Sequence, residues 1–303
     1  MTITLLDAPR PDTARLPLTL ITALAPAVWG STYVVTTELL PAGHPLFAAL
    51  MRALPAGLLA LAISRVLPRG DWWWKAAVLG VLNIAAFFPL LFLAAERLPG
   101  GVAATLGATQ PIIVAFLAMG VLSERLSTWR LAWGVAGVAG VGLVVLDSQA
   151  ALDTAGVFAG LAGAASMGLG VTLTKRWGRP PEVGAVAFAG WLLTAGGLAL
   201  LVPVALVEGV PAQIDPPAVA GYAWLGIVGG LLAYSLWFNG LRTLPVTATA
   251  LLGLLSPLVA AVLGMVLLAE TFTAAQVAGF ALALAALVAG QLTPRRAKGP
   301  SRP

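Results

Sequence analysis

Few residues in this 303-residue chain could do chemistry, and nearly all of them lie in apolar surroundings. Trp29 and Tyr33 stand four apart, as do Asn83 and Phe87, and Thr105 and Thr109. On an unbroken helix each pair shares one face. Indole, phenol, amide and hydroxyl groups set in apolar sequence offer hydrogen bonds to a small solute and no bond-breaking chemistry. Tyr234 and Trp237, three apart, repeat the aromatic pairing late in the chain. Arg52 lies in the apolar run Phe47 to Pro55. Such an arginine either reaches out to lipid headgroups or faces inward, where it can grip a carboxylate with two prongs.

Two prolines add a different kind of group. A proline takes away the N–H donor from the carbonyl four residues back. Pro111 thereby frees the carbonyl of Gly107, and Pro257 that of Gly253, with no side chain to cover either. Bare carbonyls of this kind suit an ammonium group where a wet cavity adjoins them; otherwise they mark simple kinks.

The chemistry that is missing narrows the function as much. There is no cysteine, and the single histidine, His44, falls in an expected loop with no carboxylate cluster beside it. Disulfide, thiolate and metal chemistry have no donors, and no cofactor is expected. The 12 acidic residues fall in expected loops or at the ends of apolar runs. An enzyme would need clustered acid, base or metal ligands, so none is expected.

The elements that must carry these residues follow from composition. With 59% hydrophobic and 10% charged residues and a mean hydropathy of +0.95, the chain has too little polar surface to cover a water-soluble globule. Charges and Pro/Gly clusters cut it into ten runs of membrane-spanning length: 17–37, 46–66, 72–95, 99–122, 129–147, 154–174, 183–207, 217–240, 245–268 and 273–292. Pro89 is expected to kink the third. Residues 1–16 hold Asp7, Asp12, Pro9 and Pro11 without a short apolar core, which does not read as a cleavable signal.

Alternate loops can be assigned to opposite sides, starting from a cytoplasmic N-terminus. The inner side then holds Arg10, Arg15, Arg65, Arg69, Lys75, Arg125, Arg130, Lys175, Arg176, Arg179, Arg242, Arg295, Arg296, Lys298 and Arg302. Only Arg52 and Arg97 fall outside. The net charge of +5 thus reports orientation, with both termini cytoplasmic, and no nucleic-acid partner is expected.

Leu98 to Glu124 returns 146 positions later as Leu244 to Glu270 without a gap, with eleven of 27 positions identical. Pro99, Gly107, Pro111, Met119 and Glu124 are matched by Pro245, Gly253, Pro257, Met265 and Glu270. The chain therefore reads as one unit used twice, 1–150 and 151–303, five spans each. Five is odd, so the second copy enters the membrane upside down. Glu124 and Glu270 then end their helices on opposite sides of the bilayer, each holding a tight turn. The expected fold is all-α and integral to the membrane, two inverted five-helix repeats around a central cavity, which is a transporter's design.

Trp29-Gly30-Ser31, Arg52, Gly80-Val81-Leu82-Asn83, Arg97 to Ala104, Gln110-Pro111 and Glu124-Arg125-Leu126-Ser127 together resemble the EamA type of the drug/metabolite transporter superfamily. The second-half copies at Leu244-Pro245, Ser256-Pro257 and Glu270 carry the same resemblance, which extends over essentially the whole chain. It implies ten helices in two inverted repeats, cytoplasmic termini and export of small metabolites. Its better-known bacterial branches, YddG-like exporters among them, export amino acids. The family's tryptophan-glycine, second-span arginine and third-span asparagine map onto Trp29, Gly30, Arg52 and Asn83. Met167 departs from the pattern, standing where a tryptophan is common in the second half.

The expectation is an exporter of amino acids such as Phe, Met and Thr, and of related small metabolites, in a bacterial inner membrane. It works by alternating access, runs down the solute gradient, and exists as a monomer or weak homo-oligomer. The expected substrate site is Trp29, Tyr33, Asn83, Phe87, Thr105, Gly107, Thr109, Tyr234, Trp237 and Gly253. Arg52, Pro111, Pro257, Glu124 and Glu270 shape or gate it. Efflux of other metabolites or cationic drugs, or a non-transport membrane role, are the alternatives.

Overall fold

The computed structural model describes residues 12–98, 100–145, 153–268 and 273–292. In lipid no water satisfies backbone N–H and C=O groups, so apolar runs fold as helices that satisfy their own. The described residues are accordingly helices and short connections. In chain order these are α1 (Asp12–Trp29 and Thr32–Leu39), α2 (Pro45–Ser64), α3 (Trp72–Arg97), α4 (Gly100–Gly107 and Gln110–Leu122) and α5 (Thr128–Val145). They are followed by α6 (Thr154–Trp177), α7 (Ala185–Glu208), α8 (Pro216–Thr243), α9 (Val246–Leu252 and Leu255–Leu268) and α10 (Ala274–Gln291). Nine of these are long and apolar enough over described residues to cross a membrane; α5, apolar over Thr128–Val144, falls short of that length. The run expected for α5 continues into residues outside the described ones.

Several helix starts are capped by side chains. Thr273 and Gln276 form a reciprocal capping box at α10, and Ser127 Oγ accepts the Arg130 N–H at 3.3 Å in α5. Asp153 and Asp215 accept the N–H of Gly156 and Ala218 at the starts of α6 and α8. Glu270, expected to close α9, lies outside the described residues.

The helices pack in pairs that cross between the two halves. The most extensive contacts are α2 on α7 and α5 on α10. Both pairs are stitched at both ends. Glu208 of α7 accepts the Leu46 and Phe47 N–H groups at 2.8 and 2.7 Å, and Trp191 donates to the Val66 carbonyl at 2.7 Å. Trp129 donates to the Ala289 carbonyl at 2.8 Å, and Gln276 Nε2 to that of Val144 at 3.1 Å. Small residues let α5 and α10 touch: a Cβ on Gly140 would lie 2.7 Å from the Ala283 nitrogen and 2.8 Å from the Gly279 oxygen.

Contacts of α1 with α8 are matched by those of α3 with α6, and contacts of α4 with α6 by those of α1 with α9. Exchanging each helix for the one five later therefore carries these pairs into one another, and carries α2 on α7 and α5 on α10 into themselves. The internal repeat read from the sequence is thus also a repeat in packing. The helices α1, α3, α4, α6, α8 and α9 surround the centre of the bundle.

Candidate functional site

The centre is built where helices break. α1 stops at Trp29 and resumes at Thr32 after the Gly30-Ser31 turn. Trp29 and Tyr33 therefore do not share a face of one helix, as their spacing alone predicts; they belong to two segments and reach the same cavity from either side of the turn. Gly30 is needed there because a Cβ would lie 2.7 Å from the Ser256 carbonyl oxygen and 2.6 Å from Val259 Cβ of α9.

α3 and α8 both loosen into π-helix, at Val81–Ala86 and Trp224–Leu232. Asn83 and Gly229 stand at the centre of these stretches, 146 positions apart like the sequence repeat. The wider turn leaves carbonyls available to other helices. The Gly229 carbonyl accepts Trp29 Nε1 at 2.8 Å and Arg52 Nη2 at 3.4 Å. On the other side, Ser166 Oγ of α6 donates to the Leu82 carbonyl at 2.8 Å, and Tyr234 donates to that of Asn83 at 3.4 Å. The π-turn also parts Asn83 from Phe87. Asn83 Nδ2 donates to the Leu79 carbonyl at 2.9 Å, and its amide packs on Gly170 of α6, while Phe87 borders the cavity.

α4 breaks after Gly107 and α9 after Leu252, so Pro111 and Pro257 begin the second segments instead of kinking a continuous helix. The Gly253 carbonyl is not bare: it accepts the Ser256 N–H at 3.1 Å. A 3₁₀-type bond of this kind replaces the donor that Pro257 lacks. Thr109 Oγ1 bonds back to the Leu106 carbonyl at 2.6 Å, inside its own turn.

Between these breaks lies a cavity of ≈ 90 Å³. Of the expected substrate residues, Trp29, Tyr33, Phe87, Gly107, Trp237 and Gly253 line it, with Arg52 and Pro257 from the expected gating set. Asn83, Thr105, Thr109 and Tyr234 are not part of the lining, and neither is Pro111. Tyr234 stands one layer back, its ring 5.0 Å from that of Trp29 and 6.0 Å from that of Phe88. Repeat-related positions meet in the wall: Gly107 with Gly253, and Gln110 with Ser256.

Gln110, Ser256, Thr32, Leu91, Ala108, Ala164 and Met167 also line the cavity and are not among the expected site residues. Gln110 and Ser256 had a signal, since each directly precedes a repeat proline. Met167 is marked by standing where a tryptophan is common, while Leu91, Ala108 and Ala164 had no signal beyond their helix. Arg52 does not reach out to headgroups. Its side chain is 2% exposed, with the guanidinium 4.4 Å from the centre of the Phe88 ring.

The cavity walls are therefore aromatic and aliphatic, with one cation and the polar side chains of Thr32, Tyr33, Gln110 and Ser256. Among the described lining residues there is no carboxylate and no imidazole. Three residues of its wall carry a buried N–H group that lacks a partner: Arg52 at Nε, Gln110 at Nε2 and Trp237 at Nε1. Glu124 lies apart from all this, near enough to Arg130 and Lys175 to bear on both charges. The Lys175 ammonium donates to the Leu241, Arg242 and Leu244 carbonyls at the end of α8. In the loop beyond α6, burial and then the adjacent Arg242 lower the pKa of Arg179. These charges serve helix ends and loops, away from the cavity.

Comparison with known proteins gives a consistent picture. The model of the EamA-like transporter family matches twice, over residues 17–146 and 154–289. Protein PecM of Dickeya dadantii is 44% identical over 264 residues, covering 87% of this chain and 89% of PecM. The uncharacterized transporter YwfM of Bacillus subtilis is 28% identical, covering 92% of this chain and 95% of its own. A protein of known crystal structure superposes with a TM-score of 0.74 at 20% identity, over 91% of this chain and 98% of the other, a likeness of fold alone.

Proposed function

Because the chain belongs to the EamA-like transporter family, we propose that it exports amino acids and related small metabolites from the bacterial cytoplasm by alternating access through the central cavity. It is a multi-pass membrane transporter. In this reading it has ten spans in two inverted halves, 1–150 and 151–303, with both termini cytoplasmic in the inner membrane. It carries its substrate as a monomer or weak homo-oligomer.

The observation that carries the reading is the meeting of Gly107 with Gly253, and of Gln110 with Ser256, in the wall of one cavity. Broken helices facing each other at a repeat interface are how transporters place a substrate at the membrane midplane. Rocking one half against the other would open the cavity to each side in turn. Trp29, Phe87 and Trp237 supply flat apolar walls, which suit phenylalanine and methionine side chains and permit broad specificity.

Movement down the solute gradient is supported by the wall's composition, since Arg52 is the only charged residue among the described lining residues. Proton-driven carriers keep a group that titrates near neutral pH inside the membrane. Cationic drugs are the poorer fit because there is no carboxylate among the described lining residues to meet them.

The test is counterflow of labelled phenylalanine, methionine and threonine into liposomes holding the purified protein. Uptake should exceed that of protein-free vesicles and fall when unlabelled substrate is omitted from the inside. Flux equal to protein-free vesicles for all three would remove the amino-acid reading.

A further inference from the structure

We infer that the cavity recognises its substrate by a carboxylate, held by Arg52 together with the N–H groups of Trp237 and Gln110, and that an amino acid's ammonium adds little. This names the ligand class of the site proposed above and rests on that reading.

Arg52 is buried and borders the cavity. Its hydrogen bonds, Nη1 to Thr32 Oγ1 and Nη2 to the Gly229 carbonyl, are both long at 3.4 Å, and Nε has no partner. The ion pairs among the described residues are Lys75 with Asp71 and Arg97 with Asp153, so no carboxylate answers Arg52. A buried cation without a counter-charge is costly, and inside a membrane it marks a path for ions or substrate.

The neighbours separate a ligand-seeking cation from one that merely braces helices. Trp237 Nε1 and Gln110 Nε2 are likewise buried and without partners, and both residues line the same cavity. Thr32, also in the wall, accepts from Arg52 and keeps its own O–H to donate. Three unpartnered donors thus belong to residues of one wall that carries no carboxylate among its described residues. The group that fits is an anion with two acceptor oxygens, which a guanidinium grips in two places. The aromatic walls take the apolar remainder. An ammonium, by contrast, meets a like charge and no carboxylate. Aromatic 2-oxo and 2-hydroxy acids and simple arylalkyl carboxylates should therefore be recognised alongside amino acids, while the corresponding amines should not.

Isothermal titration of the purified protein in detergent with 3-phenylpropionate, phenylalanine and phenethylamine reads this without a flux assay. The acid should bind within about threefold of phenylalanine, and the amine at least about thirtyfold more weakly. Arg52→Gln should weaken acid binding about tenfold or more without weakening the amine, and Arg52→Lys should restore part of it. Trp237→Phe keeps a ring in the wall and removes the donor, and should weaken the acid about threefold or more. It carries the test if Arg52→Gln does not fold. No binding of the acid, binding of the amine as tight as the acid, or an unchanged acid-to-amine ratio in these variants overturns the inference. A preserved acid preference with no flux in liposomes would instead overturn the transport reading.

Discussion

Trp29 and Arg52 share one acceptor, the Gly229 carbonyl, which receives the indole N–H at 2.8 Å and the guanidinium at 3.4 Å. One backbone oxygen of α8 therefore ties α1 to α2 beside the cavity. It can do so because Gly229 sits in π-helix, where the internal ladder is loosened.

Replacing Trp29 with Phe should remove one of these two bonds while keeping the ring against Tyr234 and Trp237. Arg52 still occupies the carbonyl, so no buried acceptor is orphaned. The expected cost is about 1 kcal/mol, seen as a melting temperature a few degrees lower in detergent. Counterflow should fall more than stability does, because the indole also forms the wall.

Gly107 gives a test of the cavity that is separable from folding. A Cβ there meets nothing within 4 Å, so Gly107→Leu has open space to occupy. The variant should be produced and melt like the parent, yet substrate flux should drop by about tenfold or more as the site fills. Wild-type flux in a well-folded Gly107→Leu would place the path elsewhere.

Packing of the two halves is tested at Gly140. A leucine there would strike backbone atoms of α10, and backbone cannot move aside without parting the helices. Gly140→Leu should cost about 1–3 kcal/mol or more and give aggregated or poorly produced protein on gel filtration. Gly120→Leu, on an α4 position open to 4 Å, should elute like the parent.

Energy coupling is tested by imposed gradients. Proteoliposomes given an inside-acid or inside-alkaline step should equilibrate labelled substrate without concentrating it. Accumulation against the gradient driven by either step would assign a titrating group to the transport cycle.

Much of this molecule can be read from its sequence, for reasons that differ by element. The limits of the helices are legible because charges, prolines and glycines are expensive in lipid and so fall at the ends: the run expected at 46–66 is the helix Pro45–Ser64, and that at 273–292 is Ala274–Gln291. The central breaks are half legible. Proline and glycine at 107–111 and 253–257 mark them, but they do not show that the Ser256 N–H bends back to satisfy the Gly253 carbonyl.

Spacing misleads where the period changes. Trp29 and Tyr33 look like one face until Gly30 turns the chain to let α9 approach, and Asn83 and Phe87 look alike until the π-turn separates them. Neither the turn nor the π-helix is local; both answer to neighbouring helices. Arg52 could reach out or in on composition alone, and the Gly229 carbonyl that draws it inward lies 177 residues away.

The most direct test uses the absence of native cysteine. A single cysteine in place of Ser256, which lines the cavity beside its repeat partner Gln110, should react with a membrane-impermeant maleimide added from either side of oriented vesicles, and substrate should slow both reactions. Labelling from one side only, whatever the substrate gradient, would contradict a cavity that opens alternately to the two faces of the membrane.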